Sequence, residues 1–191
     1  YYGDKTVLYD MYPIMKKYVK YLQKYVTGGV LDNYDQMGEW GQLNENTPTV
    51  LVATCAYYRL LDIVGKTAEI TGHEEEAKEY FEMAEKTKKA FHKHSLCYNE
   101  ADGIYGNGSQ ASYGCVLFSG LVPKEREQET VDKLVKAVQI KDYHLTSGEV
   151  GLKQVFLALA EHGKNDVVYK MIMNETSPSY RAFVDRGFTT L

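Results

Sequence analysis

Helix-period segments of two kinds alternate along this chain, and that alternation limits the folds open to it. Residues 6–26 place Leu8, Met11, Tyr12, Met15, Val19, Leu22 and Val26 at helical spacing, with Lys16, Lys17, Lys20 and Lys24 elsewhere round the wheel. This predicts a helix wet on one side. Residues 48–70 follow Thr47 and Pro48, a cap and first-turn pair, and read VLVATCAYYRLLDIV, apolar almost all round. Such a helix has to be buried. Residues 74–92 return to one-sided spacing through Ala77, Tyr80, Phe81, Ala84 and Phe91, with acidic residues in the first turn, where the helix dipole favours them. The pattern then repeats: 109–121 is nearly uncharged, 124–140 is amphipathic through Val131, Leu134, Val135 and Val138, 149–160 is mainly apolar, and 165–174 packs Val167, Val168, Met171 and Ile172 on one side. Gly163 and Pro178 supply breaks.

A double ring of helices requires this alternation, because inner helices touch neighbours on every side while outer ones meet water on one. The reading is therefore all-α, an α/α toroid. A stacked helical solenoid is the rival, but the apolar helices begin near residues 48, 109 and 149, in unequal steps, and no repeat consensus recurs. The long helices also fall short of six pairs, so residues 1–191 are expected to be a single segment of one barrel domain, incomplete at both ends, that needs the rest of the barrel as its partner. Inner helices would then lie open at the broken edges as apolar patches. One short hairpin is predicted, from residues 95–98 and 103–105.

Composition excludes other classes. A net charge of −4, with 22 basic and 26 acidic residues, offers no cationic face for nucleic acid. Cys55, Cys97 and Cys115 are odd in number and lie in no ligand spacing, so neither a metal site nor a disulfide framework is predicted. No apolar run approaches the ~20 residues of a bilayer span. No membrane partner is expected, and localisation stays open between cytoplasmic and secreted. There is no phosphate loop, zinc-protease motif, nucleophile elbow or dinucleotide turn.

In an α/α ring the connections from each outer helix into the next inner one share a rim. Here they are residues 27–47, 105–109, 141–149 and 177–191, and loops held on a rigid scaffold are where functional residues concentrate. The first carries Glu39 and Trp40, the only tryptophan. Its indole face suits stacking on a sugar ring, or else plugs the end of the barrel. The second carries Ser109 and Gln110, read either as a helix cap with Gln110 facing solvent or as a ligand contact. The third carries His144 and Glu149, a loop histidine and a carboxylate opening a buried helix, where dipole stabilisation alone would account for the glutamate. Carboxylate pairs can be drawn among Glu39, Glu45, Asp102, Glu149 and Asp185, but such pairs are made by distance in space.

Five stretches in order, YYGDKTVLYDMYPIMKKYVKYL, MGEWGQLNENTPTVLVATCAYYRLL, YGNGSQAS, HLTSGEVGLKQVFLALAEHGKNDVVYKMI and SPSYRAFVDRGFTTL, make the chain similar over its whole length to the catalytic domain of the α-L-rhamnosidases, glycoside hydrolase family 78, an (α/α)6 barrel. The resemblance implies inverting hydrolysis of terminal α-L-rhamnosides by a carboxylic acid and a carboxylate, with no cofactor or metal. The acid is then expected upstream of Tyr1 and the base just beyond Leu191, so this fragment alone would be inactive. Trp40 resembles the family's rhamnose-contacting tryptophan, and Glu39, Gln110, His144 and Glu149 join it as candidate substrate-binding residues. Two departures bear on specificity: Glu39 stands where most relatives have aspartate, and Tyr180 and Arg181 stand where many have tryptophan or glycine. Two alternatives remain at this level. One is a non-catalytic carbohydrate-binding or scaffolding helical domain. The other is a barrel enzyme for uronic or unsaturated sugars, which would call for basic residues at the rim, where only Arg181 and Arg186 qualify.

Overall fold

The computed structural model describes residues 3–32, 34 and 38–189. Among them the helices are α1 (Thr6–Leu22), α2 (Thr49–Ile70), α3 (Glu74–Phe91), α4 (Gln110–Ser119), α5 (Lys124–Ile140), α6 (Glu149–Glu161), α7 (Asn165–Ile172) and the short α8 (Tyr180–Asp185). α4 packs on both α2 and α6, making an inner row, while α1, α3, α5 and α7 lie outside it. This is a partial helical toroid.

The inner row forms because its sequence leaves no polar stripe. Residues 110–117 of α4 are all buried, as are residues 50–55 at the start of α2. Gly114 lets α4 and α6 come close, since a Cβ there would sit 2.6 Å from Val155 Cγ2 and 2.9 Å from the Val155 backbone. Outer helices behave as charge patterning dictates: α3 has Glu74, Glu75 and Glu76 in its first turn and Lys88 and Lys89 in its last, each sign at its favoured end of the helix dipole. The core divides between a cluster around α4, α5 and α6 and another among α1, α2 and α3.

Several local expectations change. The first helix ends at Leu22, and the chain passes through a 3-10 turn into a hairpin, β1 (Val26–Thr27) with β2 (Val30–Leu31). Gly28 and Gly29, at φ +59° and +92°, form the two-residue turn that hairpins favour. The anticipated hairpin after α3 is present as β3 (Tyr98–Asn99) paired with β4 (Ile104–Tyr105). The last connection contains α8, capped by Ser179, whose Oγ accepts from Ala182 N at 3.1 Å.

The edges are open. On α1, Tyr12, Val19 and Leu22 are buried, but the adjacent stripe Val7, Met11, Ile14, Tyr18 and Tyr21 is exposed. At the other end Val150, Val184 and Phe188 are exposed. α6 is therefore less enclosed than its apolar sequence predicts. None of the helices among the described residues is long and apolar enough to cross a membrane.

Candidate functional site

The connections into the inner helices meet on one rim and are bonded to one another. Leu43 N donates to Thr146 O at 2.9 Å and Leu145 N to Pro178 O at 3.0 Å, so the third connection lies between the first and the fourth. Thr47 Oγ1 meets Ser109 Oγ at 2.7 Å, and Gln110 Nε2 donates to His144 O at 3.1 Å, which fastens the second connection to the first and third.

The start of α6 explains why the first connection crosses the rim. Gly148 precedes α6 and has no side chain to cap it, so the amides at this helix end need other acceptors. They find them about a hundred residues back. Gly148 N donates to Glu39 Oε1 at 2.6 Å and Glu149 N donates to Trp40 O at 2.9 Å. Close approach needs glycines on the α6 side: a Cβ on Gly148 would lie 2.2 Å from Trp40 O, and one on Gly151 2.2 Å from Glu39 Oε1.

Two glutamates sit inside this junction. Glu39 is 2% exposed, with Oε2 3.0 Å from Thr47 Oγ1. Burial pushes its carboxyl above the usual carboxylate range. The Gly148 amide and Thr47 work against that shift, while the nearby Glu45 charge adds to it. Glu45 is also buried, and its Oε2 accepts from Thr146 Oγ1 at 2.8 Å and Gln110 N at 3.3 Å, with Lys141 Nζ 3.9 Å from Oε1.

The five residues nominated from sequence therefore separate. Trp40 is 57% exposed, and Glu149 is exposed at the head of α6. His144 is half-buried, with Nδ1 2.8 Å from Lys141 O and Nε2 2.8 Å from Thr176 Oγ1. Gln110 does not face solvent: it is 0% exposed, because the first residue of an all-buried helix is turned into the wall, and its Oε1 has no partner among the described residues. Ser109 caps α4 as predicted, accepting from Ser112 N at 3.1 Å. Glu39 and Gln110 thus belong to the wall behind the rim, and Trp40 and Glu149 to its surface.

Beside them lies a groove of about 630 Å³ lined by Gly41, Ser147, Glu149, Lys153, Phe156 and Tyr180, among others. The Phe156 and Tyr180 rings stand edge to face at 6.2 Å. Polar and aromatic side chains lining one groove suit a ligand of sugar size. Lys153 and Phe156 are not singled out from sequence, whereas Tyr180 is named there as a departure bearing on specificity. Phe156 of α6 and Tyr180 of α8 are brought together by the fold, not by sequence spacing. A second groove, about 570 Å³ and lined by Tyr12, Lys16, His73 and Tyr80, lies between α1 and α3 and includes no rim residue. No grouping of His, Cys, Asp and Glu among the described residues could hold a metal ion.

Alternating inner and outer helices, with the entries to the inner helices gathered on one rim beside a groove, define a segment of an α/α toroid. The family model for the bacterial alpha-L-rhamnosidase 6 hairpin glycosidase domain matches residues 1–191, and the chain belongs to that family. It is 30% identical over 190 residues to the alpha-L-rhamnosidase of Streptomyces avermitilis, covering 100% of this chain and 18% of that protein. It is 28% identical to the alpha-L-rhamnosidase of Alteromonas sp. (strain LOR), covering 98% of this chain and 21% of that protein. The crystal structure of the Streptomyces avermitilis enzyme complexed with L-rhamnose superposes with a TM-score of 0.90 at 29% identity, over 100% of this chain and 18% of that one. The alpha-L-rhamnosidase of Dictyoglumus thermophilum gives 0.86 at 31%, over 100% of this chain and 22% of that one. The chain spans about a fifth of the length of these relatives.

Proposed function

We propose that the intact protein hydrolyses terminal α-L-rhamnosides with inversion, and that residues 1–191 supply part of the sugar-binding rim. The observation that carries this reading is Trp40, an exposed indole whose backbone is bonded to the head of α6 beside the aromatic groove. In this reading Trp40 stacks on the apolar face of the sugar and Glu149 accepts hydrogen bonds from its hydroxyls. Glu39, Gln110 and His144 hold the rim from behind. The acid and base carboxylates come from outside residues 1–191, placed across the glycosidic bond with room for a water, roughly 6.5–9.5 Å apart in inverting enzymes. Burial of Glu39 and Glu45 within the wall takes these two out of that role, because neither carboxyl is free to meet a glycosidic oxygen.

The experiment is a panel of aryl glycosides offered to the intact protein and to its Trp40→Ala variant. An indole face covering about 80 Å² of sugar contributes about 2 kcal/mol. The variant should then raise KM for the rhamnoside roughly 30-fold. Equal KM values for the two proteins would remove Trp40 from the sugar site, and an intact, folded protein idle on every rhamnoside would remove the reading itself.

A further inference from the structure

Glu39 stands at one end of an unbroken line of oxygen contacts that crosses the rim. Its Oε2 meets Thr47 Oγ1 at 3.0 Å, Thr47 Oγ1 meets Ser109 Oγ at 2.7 Å, Ser109 Oγ meets Ser112 Oγ at 2.9 Å, and Ser112 Oγ meets Asn107 Oδ1 at 2.9 Å. Asn107 Oδ1 also accepts from Ser109 N at 3.2 Å. Turning that amide over would set its NH2 against a backbone N–H, so the far end of the line is an acceptor. Each of the four contacts requires one proton, and the three hydroxyls supply three. With Glu39 ionised, Thr47 must donate to it, Ser109 to Thr47 and Ser112 to Asn107, which leaves Ser109 and Ser112 facing each other 2.9 Å apart with no hydrogen between them. A fourth proton on Glu39 Oε2 resolves the line: Glu39 donates to Thr47, Thr47 to Ser109, Ser109 to Ser112 and Ser112 to Asn107. Glu39 Oε1 remains the acceptor for Gly148 N at 2.6 Å.

We infer that Glu39 is a neutral carboxylic acid in the folded protein, a positioning residue whose proton orders this hydroxyl line and fastens the backbone of Trp40 to the start of α6. The surroundings agree. Among the described residues, the groups facing Glu39 are the Glu45 carboxylate from its own connection, the Thr47 hydroxyl, the buried Cys115 thiol of α4, and Gly148 and Gly151 of α6. None of these is a cation, and Lys141 pairs with Glu45 instead. Burial raises the carboxyl of Glu39, the direction in which the proton count points.

Infrared difference spectroscopy of the intact protein against its Glu39→Gln variant at neutral pH tests the assignment. Wild type should contribute a carboxylic-acid C=O band that the variant lacks, and a difference confined to carboxylate bands would overturn it. Glutamine reproduces the neutral acid, because Nε2–H donates to Thr47 and Oε1 accepts from Gly148. Stability against pH therefore separates the variants. A carboxyl raised in the folded state contributes fully below its ordinary value of 4.5 and loses that contribution as pH rises through its folded value. Wild type should lose stability relative to Glu39→Gln over that rise, whereas parallel profiles would refute the proposal. These two readings need no substrate and hold whatever Trp40 contacts. The consequence for Trp40 rests on the sugar-platform reading: Glu39→Ala should raise KM for a rhamnoside about tenfold, a loss near 1.4 kcal/mol, with Glu39→Gln closer to wild type. A KM unchanged by alanine would deny Glu39 its positioning role.

Discussion

Replacing Gly148 with alanine sets two effects of opposite sign against each other. The backbone there, at φ −81° and ψ −171°, is open to any residue. Alanine would reduce the freedom of the unfolded chain, a gain of about 0.4–1 kcal/mol. Against this, the new Cβ would stand 2.2 Å from Trp40 O, 2.8 Å from Trp40 C and 2.9 Å from Gln42 N. All three are backbone atoms and cannot rotate aside. Restoring van der Waals contact requires the Trp40 segment to retreat by about 1 Å or more. That displacement stretches the 2.9 Å bond from Glu149 N to Trp40 O and the 2.6 Å bond from Gly148 N to Glu39. Each bond is worth about 1 kcal/mol where water can reach the freed amide, and overpacking adds about 1–3 kcal/mol. The clash exceeds the entropy gain, so Gly148→Ala should lose about 2–4 kcal/mol in urea unfolding, with KM for the rhamnoside raised because Trp40 is displaced. A variant as stable as wild type, or more stable, would refute the close junction between the first connection and α6.

Three further outcomes follow from the packing and the charges. Gly114→Ala should cost about 1–3 kcal/mol in the same assay, since its Cβ would lie 2.9 Å from the Val155 backbone and must separate two inner helices; unchanged stability would contradict the contact. Burial pushes the Cys97 thiol up to about 12 and raises those of Cys55 and Cys115 as well, so peptide mass spectrometry should find none of the three alkylated by iodoacetamide until denaturant is added. Rapid labelling of the native protein would contradict their burial. His162 is partly desolvated, which lowers its pKa, but its 2.9 Å contact with Glu127 and its bond to the Ala158 carbonyl raise it on balance. That contribution is present below the ordinary value of 6.5 and disappears as pH rises through the folded value. Glu127→Gln should therefore lower stability by under ~1 kcal/mol at acid pH and leave it unchanged at alkaline pH; an equal loss at both would contradict the ion pair.

Much of this architecture is legible in the sequence because burial leaves a direct mark on it. An uncharged α4 and the apolar start of α2 have nowhere to go but inside, and the rim follows from which ends of those helices the connections enter. Ser109 announces its cap by residue type alone. Other features depend on contacts between distant residues. Glu39 beside an exposed tryptophan reads equally well as a sugar ligand or as an acceptor for a helix amide, and only the fold brings Gly148 to it across more than a hundred positions. Gln110 follows a cap and looks like a solvent-facing first-turn residue until His144 O is found beside it. The β1–β2 hairpin had a signal in the pair Gly28 and Gly29 between Val-Thr and Val-Leu, but with two residues to a strand it shows no period-two alternation. On α1 the apolar arc is wider than the stripe this segment of the toroid covers, so spacing alone assigned Met11 to the buried face although it is exposed.

The most direct test of the functional account is to follow p-nitrophenyl α-L-rhamnopyranoside hydrolysis by the intact protein with proton NMR from the first turnovers. Inverting chemistry between paired carboxylates predicts β-L-rhamnose as the first product, with the α anomer appearing only as the free sugar mutarotates. Release of the α anomer first, or no release from the rhamnoside by a folded protein, would contradict it.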